Sequence, residues 1–434
     1  YFSSHMKGII KNMVKRKVNP IALNYQFTLH SVVPAPHTII DNIQKLEPGH
    51  TITVHKSGRI DRARYFNIDE IQLSKYNTQE IYENISSLLT AAIEKRISVA
   101  DVPVGVLLSG GLDSSLITAV SKEYKNNLNT YSIGFETINN EEGNEFHYSD
   151  MVANDLKTLH EKYSVTSFDL LNSLDDVIMS MSEPMFSQDS SAFYLLAKNV
   201  SKSAKVVLSG QGADEVFGGY FWYEKIMNET GLNSIDTLSK YYFDRSYENF
   251  KTIVNSDFVS ENYASNDIEF RLKQMDPSLS ILDKIFRLEL SMFIIDDPVK
   301  RVDNMTMSHS LEARVPFLDI DLISFMLSVK SEKKIENGEK CLLKEVSKKY
   351  LNNKIINREK FYFPVPPLKI IKDKFFDYCR KTLLSESALE RNLYNTTYIN
   401  KILEKPNEHF TNLNGNELWH FTLLERWLQL NIDQ

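Results

Sequence analysis

A glycine- and serine-rich segment, residues 105–115, has the residue types that bind phosphate. A short apolar run ends in Ser109-Gly110-Gly111, and a helical pattern begins near Asp113. Unpaired backbone N–H groups and the helix dipole favour an anion at such a junction, and glycine lets the backbone approach it closely. A carboxylate beside phosphates makes sense if Mg²⁺ lies between them. The segment therefore predicts a nucleotide site, with an ordinary capped strand-to-helix turn as the alternative.

A second segment, residues 207–220, repeats this arrangement. Small residues follow a short apolar run and lead into the adjacent acids Asp214 and Glu215. In a doubly wound sheet, the loops at the carboxyl ends of neighbouring strands face one crevice. We therefore expect Asp113 and Asp214 to hold Mg²⁺ together. Taken alone, the pair could be a solvated helix start, but the presence of both segments argues against coincidence.

The spacing of apolar residues predicts an α/β fold. Predicted strands lie at residues 21–29, 51–55, 102–108, 129–135, 162–166 and 205–208. Predicted helices lie at residues 78–97, from 113 onward, 148–159 and 191–201, and amphipathic stretches at 282–295 and 418–430 predict a mainly helical part after residue 225. Apolar strands that alternate with helices are typical of a parallel sheet covered on both faces.

Composition excludes several classes of protein. The net charge of −7 over 434 residues argues against a nucleic-acid-binding surface. No apolar run is long enough to cross a bilayer, and we expect no membrane partner. The only cysteines are Cys341 and Cys379, which excludes a disulfide framework and CxxC metal spacing. These features predict a cytoplasmic protein, and a homodimer is compatible with them.

The first segment lacks the P-loop pattern and the GxGxxG pattern of a dinucleotide fold. Its SGGxDS run is similar to that of the N-type ATP-pyrophosphatases. Over nearly its whole length the chain resembles the synthetase part of glutamine-dependent asparagine synthetases and related amidotransferases. The further segments that carry this resemblance are residues 1–7, 33–50, 183–192, 301–319 and 338–344.

The resemblance implies a fold and a division of the chain. The fold is a parallel, doubly wound sheet of the adenine nucleotide alpha hydrolase-like kind, with a helical C-terminal part and an N-terminal β remnant of an Ntn glutaminase domain. Residues 1–70 would be that remnant. Residues 75–434 would be the synthetase domain, with its sheet core at about 100–225 and its helical part at 226–434.

The resemblance also implies roles for individual residues. Contacts with ATP fall to Leu108, Ile133, Ser209 and Gly210, and the pyrophosphate would be wrapped by Ser109, Gly110, Gly111, Leu112, Asp113, Ser114 and Ser115. Asp113 and Asp214 would bind Mg²⁺. Lys340 would neutralise charge that develops on the phosphates, a task that suits a point charge. The implied reaction adenylates a small carboxylate acceptor with ATP and then forms an amide with ammonia.

Two departures from the family bear on this prediction. The chain begins with Tyr1, whereas a glutaminase domain of this type begins with a cysteine nucleophile, so we expect ammonia to come from a glutaminase domain missing from this chain or from free solution. Gln211 stands where the asparagine synthetases have Glu; it keeps the reach but cannot act as a base. Either the acceptor is not aspartate or another group takes the proton.

Two alternatives stay open at this stage. An amine on the same molecule could replace ammonia and give a lactam or a macrocyclic peptide. A regulatory nucleotide-binding subunit is a further alternative, against which Asp113, Asp214 and Lys340 count. The roles that the family resemblance implies at positions 340 and 211 make Lys340 and Gln211 the predicted catalytic residues.

Overall fold

A five-stranded parallel sheet forms the centre of the protein. The computed structural model describes residues 1–138, 141–229, 234–360 and 365–433. The sheet strands are β3 (Val104–Leu107), β4 (Asn129–Phe135), β5 (Leu159–Val165), β6 (Val206–Leu208) and β7 (Glu312–Arg314), and their order across the sheet is β5-β4-β3-β6-β7. A separate antiparallel hairpin consists of β1 (His50–Val54) and β2 (Ile60–Arg64).

The strand order places β3 beside β6 although about a hundred residues separate them. Val104 pairs with Val206 and Val106 pairs with Leu208, in parallel register. Every residue of both strands is buried, which explains why they read as continuous apolar runs rather than alternating ones. Because the strands are parallel, the loops that follow them emerge side by side at one edge of the sheet.

Helices make up most of the remaining described structure. Up to residue 230 they are Lys7–Ile10, Pro20–Thr28, Thr78–Ser98, Leu112–Tyr124, Phe146–Leu156, Ser167–Ser180, Asp189–Val200, Ala213–Phe217 and Trp222–Met227. Beyond it they are Ser234–Tyr242, Tyr247–Ile253, Tyr263–Gln274, Ile281–Leu288, Lys300–Met307, Ile320–Ser328, Cys341–Ser347, Asn353–Ile356, Pro366–Lys369, Asp373–Leu383, Glu386–Arg391, Thr396–Glu404 and Glu417–Asn431. Short 3₁₀ turns lie at Ile68–Glu70, Ser256–Phe258, Pro316–Leu318 and Ser331–Lys334. None of these described helices has the length and apolar character needed to span a membrane.

The helices next to the sheet form two groups. Leu112–Tyr124 contacts Thr78–Ser98 and Phe146–Leu156, whereas Asp189–Val200 contacts Ser167–Ser180 and Lys300–Met307. The chain leaves β3 and β4 through the first group and returns to β6 through the second, as in a doubly wound sheet. The predicted fold class is confirmed.

The strand predicted at residues 21–29 is wrong, because these residues form the helix Pro20–Thr28. Asn19 caps the helix by accepting hydrogen bonds from the N–H groups of Ile21 and Ala22, and Pro20 occupies the first turn, where proline is tolerated. Seven of its nine residues are buried. A helix that is buried all round shows no apolar stripe, so periodicity alone could not distinguish it from a strand.

The other predicted elements differ from the structure mainly at their ends. β4 occupies residues 129–135 as predicted, and the helix predicted at 78–97 is Thr78–Ser98. The helix predicted at 148–159 ends earlier, because Lys157 takes a left-handed conformation (φ 51°), and β5 begins at Leu159 rather than at residue 162. β7 was not predicted, since three residues are too few to show a pattern.

The N-terminal segment packs into the rest of the protein. Lys45 forms ion pairs with Glu183 (2.9 Å) and Asp296 (2.7 Å), and Lys300 pairs with the same two carboxylates at 3.2 and 2.9 Å. The backbone N–H of Ile39 donates to Glu183 Oε1 at 2.9 Å. The β1–β2 hairpin, in contrast, is almost wholly exposed. The domain boundary near residue 70 stays a prediction.

A continuous helical run from residue 281 to residue 307 contains two π-helical turns, Glu289–Phe293 and Ile295–Val299. The N–H of Ile294 donates to the carbonyl of Glu289, which is the wider i→i−5 bond. Pro298 lies within the second turn, where the lack of an N–H weakens regular α-helical bonding. Turns of this kind are often found at functional sites.

Candidate functional site

The loops that follow β3 and β6 contact each other. A Cβ placed on Gly210 would lie 3.1 Å from the Cβ of Asp113 and 3.2 Å from the backbone N of Ser114. A side chain at position 210 would therefore push the loops apart. The sequence prediction that residues 105–115 and 207–220 face one crevice agrees with this contact.

The first loop is held in shape by its own serines. The backbone N–H of Ser109 donates to Ser114 Oγ at 3.2 Å, and the two hydroxyl oxygens are 3.1 Å apart. The N–H of Gly111 donates to Ser109 Oγ at 3.3 Å. Gly110 has φ +80°, and a Cβ there would lie 2.5 Å from the backbone of Tyr148. The loop thus leads into the helix Leu112–Tyr124, whose N-cap residue Gly111 makes no side-chain capping bond and whose first N–H groups have no partner within the helix, as suits an anion.

Lys340 reaches the two loops from a third part of the chain. It precedes the helix Cys341–Ser347 and has φ 53°, a conformation that non-glycine residues adopt rarely. Its backbone N–H donates to the carbonyl of Gly218 at 3.1 Å. Strained backbone of this kind often marks a functional position. The side chain is almost fully buried, which is unusual for a lysine without a charged partner.

The ammonium group of Lys340 bridges the two predicted metal-binding carboxylates. Lys340 Nζ is 2.6 Å from Asp113 Oδ2 and 2.7 Å from Asp214 Oδ1. Gly219 makes this approach possible, because a Cβ there would lie 1.9 Å from Asp214 Oδ1 and 2.2 Å from Lys340 Cε. Three residues predicted from separate parts of the sequence therefore meet at one point.

Mutual attraction keeps Asp214 and Lys340 charged. Burial opposes ionisation of Asp214, but the ammonium groups of Lys340 and Lys360 outweigh it and hold the pKa of Asp214 below its usual range. Burial likewise favours a neutral lysine, yet Asp113 and Asp214 raise the pKa of Lys340 above its usual value. Lys340 is therefore positively charged at neutral pH and can act as a fixed counter-charge for an anion.

The carboxylates fit a magnesium ion. Asp113 Oδ1 is buried and has no hydrogen-bond partner among the described residues, although a buried carboxylate oxygen is normally paired. A cation that also contacts phosphate oxygens would satisfy it, and Mg²⁺ prefers one or two carboxylates together with phosphates. Asp113 and Asp214 are the residues that would hold it.

The residues predicted to contact ATP outside the first loop border the same edge of the sheet. The N–H of Leu108 donates to the carbonyl of Tyr131 at 2.8 Å, which extends the β3–β4 pairing. Ile133 is buried on β4, and the N–H of Ser209 donates to the carbonyl of Arg314 at 2.9 Å. Gln211 is half-buried in the loop after β6. Their roles toward a ligand stay predictions.

Sequence reasoning missed Lys360, which also reaches the cluster. Lys360 Nζ is 2.7 Å from Asp214 Oδ1 and donates to the carbonyl of Gly219 at 2.9 Å. Nothing in the local sequence marks it, since a lone lysine twenty residues after Lys340 has no distinctive spacing. Only the fold brings it to Asp214.

Sequence reasoning also missed two buried acids near Asp214, which are Glu215 and Glu289. Tyr220 Oη donates to Glu215 Oε1 at 2.7 Å, and Tyr223 Oη donates to Glu289 Oε1 at 3.1 Å. Burial and the charge of Asp214 raise the pKa of Glu215 to about 7, and burial and Glu215 raise that of Glu289 to about 8. Much of the negative charge of these two acids is therefore suppressed at neutral pH.

A cluster of potential metal ligands elsewhere is less suited to a cation. Among the described residues, His30, Asp244 and His420 place ligand atoms within 4.8 Å of one another. The positively charged Arg245, however, lies with Nη2 3.4 Å from His420 Nδ1. His30 Nδ1 is already 2.7 Å from Asp244 Oδ2. We interpret the cluster as a buried hydrogen-bonded network that ties the N-terminal segment to the helix Glu417–Asn431.

A protein-family model matches most of the chain, including this site. The family model described as asparagine synthase matches residues 84–429, which include both loops and Lys340. The chain belongs to the asparagine synthase family. This confirms the resemblance inferred from the sequence.

Individual relatives of the asparagine synthase family are distant in sequence. The chain is 26% identical to asparagine synthetase [glutamine-hydrolyzing] 1 of Bacillus subtilis, over 100% of this chain and 72% of that protein. It is 29% identical to asparagine synthetase [glutamine-hydrolyzing] 3 of the same organism, over 84% of this chain and 61% of that protein. The chain thus spans roughly two thirds of the length of these relatives.

A solved structure of an NH3-dependent NAD synthetase from Campylobacter jejuni is similar at 16% identity, over 48% of this chain and 92% of that chain. The TM-score of this match is 0.23.

Proposed function

We propose that the protein is an AMP-forming carbon–nitrogen ligase that converts a carboxylate into an amide. The contact of Lys340 with both Asp113 and Asp214, at the ends of adjacent parallel strands, carries this proposal. The substrate carboxylate attacks the α-phosphate of ATP, and pyrophosphate leaves. Ammonia then attacks the acyl-adenylate, loses a proton, and displaces AMP.

Residues of this chain would contribute position and charge. The N–H groups after Ser109 and at the start of the helix Leu112–Tyr124 would orient the phosphates. Lys340 would stabilise negative charge on the leaving pyrophosphate. Asp113 and Asp214 would hold Mg²⁺, which would supply further charge neutralisation when bound.

The nitrogen source and the acceptor belong to the proposal as well. Ammonia would come from a glutaminase or from solution, and the acceptor would be aspartate or another small carboxylate. Gln211 cannot take the proton that ammonia releases. Two explanations follow, and we give them equal weight. Either the carboxylate substrate is not aspartate, or a group other than Gln211 takes the proton from ammonia.

A product assay tests the reaction. The protein is incubated with ATP, Mg²⁺ and each of a set of small carboxylates that includes aspartate, with and without ammonium, and AMP, ADP and pyrophosphate are quantified. We expect AMP and pyrophosphate, no ADP, and loss of both products in Asp113→Asn and Asp214→Asn. The exposed Asp101→Asn is the matched control and should retain full activity. ADP as the product, or activity that survives both substitutions, would contradict the proposal.

A Gln211→Glu variant tests the acceptor. If the glutamine excludes aspartate, the variant should gain aspartate-dependent AMP formation that the unsubstituted protein lacks. Equal rates with aspartate in both proteins would show that Gln211 does not select the acceptor.

A further inference from the structure

Arg358 is a buried arginine that contacts the helix Phe146–Leu156. Its side chain is 7% exposed and forms an ion pair with Glu145, whose side chain is 13% exposed. The guanidinium carbon of Arg358 lies 3.9 Å from the centre of the Tyr148 ring. Arginine stays protonated in proteins, and a cation–ring contact is strongest where little water surrounds it. Arg358 therefore fixes both Glu145 and the Tyr148 ring in place.

Tyr148 in turn touches the loop after β3. A Cβ placed on Gly110 would lie 2.5 Å from the backbone carbon of Tyr148 and 2.6 Å from its Cβ. Gly110 has φ +80°, so the loop passes Tyr148 in a conformation that suits glycine. The two backbones are thus in direct contact, and a shift of Tyr148 would change the direction of the N–H groups in the loop.

A small apolar cluster joins the same parts of the chain. Leu108, Val152 and Ile355 are buried together, apart from the main core. Leu108 directly precedes the serines and glycines of the loop, and Val152 lies one turn after Tyr148 on the same helix. Ile355 accepts a backbone hydrogen bond from the N–H of Arg358 at 3.4 Å. The segment that contains Ile355 and Arg358 therefore holds the loop at two points.

Packing alone does not require an arginine at this place. A buried ion pair often contributes no more stability than apolar residues of similar volume. Arg358 Nη1 is also buried without a hydrogen-bond partner among the described residues, which adds to the cost of burial. What the guanidinium supplies is direction, because its planar shape fits a carboxylate at its edge and a ring against its face. Arg358 is therefore better suited to positioning Tyr148 than to stabilising the fold.

We propose that Arg358 is a positioning residue that holds Gly110, through Tyr148, in the conformation that binds the phosphates of ATP. This inference rests on the proposed function and adds to its site a residue that acts through another. Arg358 itself need not touch the nucleotide. Its effect should therefore fall on the phosphates, which the loop would meet, and not on the nucleoside.

Nucleotide binding, measured by isothermal titration calorimetry, tests this role without turnover. We expect Arg358→Met to bind magnesium ATP about tenfold more weakly, since a desolvated cation–ring contact is lost. Its affinity for adenosine, which has no phosphates, should stay within about threefold of that of the unsubstituted protein. Lys354→Met is the matched control, because Lys354 is exposed on the helix Asn353–Ile356 and should leave both affinities unchanged.

A Tyr148→Leu variant tests whether Arg358 acts through the ring. It should weaken ATP binding by a similar factor, and combining it with Arg358→Met should weaken binding little further, because both changes remove one contact. Fully additive losses in the combined variant would show that Arg358 does not act through Tyr148 and would overturn the inference.

A double variant separates positioning from folding. Arg358→Met alone leaves the Glu145 carboxylate buried without its partner, whereas Arg358→Met with Glu145→Gln removes the whole pair and should melt within about 3 °C of the unsubstituted protein. We expect the double variant to show the same selective loss of ATP affinity. Parallel loss of ATP and adenosine, or unchanged ATP affinity, would overturn the inference. If the unsubstituted protein binds no ATP, the proposed function itself fails.

Discussion

At the scale of single residues, Lys340 is constrained from two directions. Its backbone is fixed in a left-handed conformation by the bond to Gly218, and its side chain is fixed by Asp113 and Asp214. A residue held this firmly needs no rearrangement when charge develops on a phosphate, which is the condition for effective electrostatic stabilisation. The loops after β3 and β6 were predictable from their residue types, but the approach of Lys340 to them was predictable only from the family resemblance.

Replacing Lys340 should therefore affect the chemical step. We expect Lys340→Ala to lower kcat for AMP formation by about 100-fold or more, the range seen when a preorganised charge partner is removed. Quench-flow measurement of AMP would give kcat, and circular dichroism would show that the variant is folded. Lys354→Ala is the control at an exposed position. Retention of more than half of kcat in Lys340→Ala would contradict this role.

Lys360 shows where sequence reasoning reached its limit at this scale. Its side chain meets Asp214 although 146 positions separate the two residues, and no local pattern accompanies it. A contact of this kind depends on the path of the whole chain between the two residues. It can be found only once the fold is known.

At the scale of elements, the sequence was enough to predict helices that have one apolar and one polar face and strands that are continuously apolar. Thr78–Ser98 and β4 were of this kind. The helix Pro20–Thr28 was mistaken for a strand because it is buried all round, and β7 was missed because it is three residues long. In both elements tertiary contacts, rather than local preference, determine the structure.

The buried ion-pair network that joins the N-terminal segment to the helical run gives a stability prediction. Lys45→Met would leave Glu183 and Asp296, both buried, with one ammonium between them. We expect the free energy of unfolding to fall by up to about 3 kcal/mol, because uncompensated buried charge is costly. Chemical denaturation followed by fluorescence would measure it.

The control for this prediction is an exposed ion pair. Lys273 and Glu269 pair at 2.7 Å on the surface of one helix, so Lys273→Met should cost less than about 1 kcal/mol. If Lys45→Met is no more destabilising than Lys273→Met, the network does not anchor the N-terminal segment.

At the scale of the whole molecule, Lys334 links stability to pH. Its side chain is fully buried with Nζ 4.0 Å from the centre of the Phe286 ring, and Nζ has no hydrogen-bond partner among the described residues. Burial lowers the pKa of Lys334 to about 7. Between that value and the ordinary lysine pKa of about 10.5 the unfolded chain binds the extra proton, so this group makes stability rise with pH across that range.

A Lys334→Met variant should remove this dependence. We expect it to be more stable than the unsubstituted protein at pH 7.5, with an advantage that shrinks by up to about 2.8 kcal/mol by pH 9.5, since these values are two pH units apart and one unit corresponds to about 1.4 kcal/mol. Urea denaturation at the two pH values measures the change. Lys330→Met, at an exposed position, should show the same pH dependence as the unsubstituted protein. An advantage that is constant with pH would mean that Lys334 is charged when folded.

The π-helical turns between residues 281 and 307 make the length of that helix as important as its composition. An α-helix rotates by about 100° per residue, and each wider turn accommodates one extra residue without breaking the helix. Glu289 accepts a hydrogen bond from Tyr223, while Asp296 forms an ion pair with Lys45 of the N-terminal segment. Winding Glu289–Phe293 as regular α-helix with the same number of residues would turn everything after it by about 100°, whereas deleting one residue there would restore regular bonding and keep that orientation. The wider turns thus hold the angle between the cleft and the N-terminal segment.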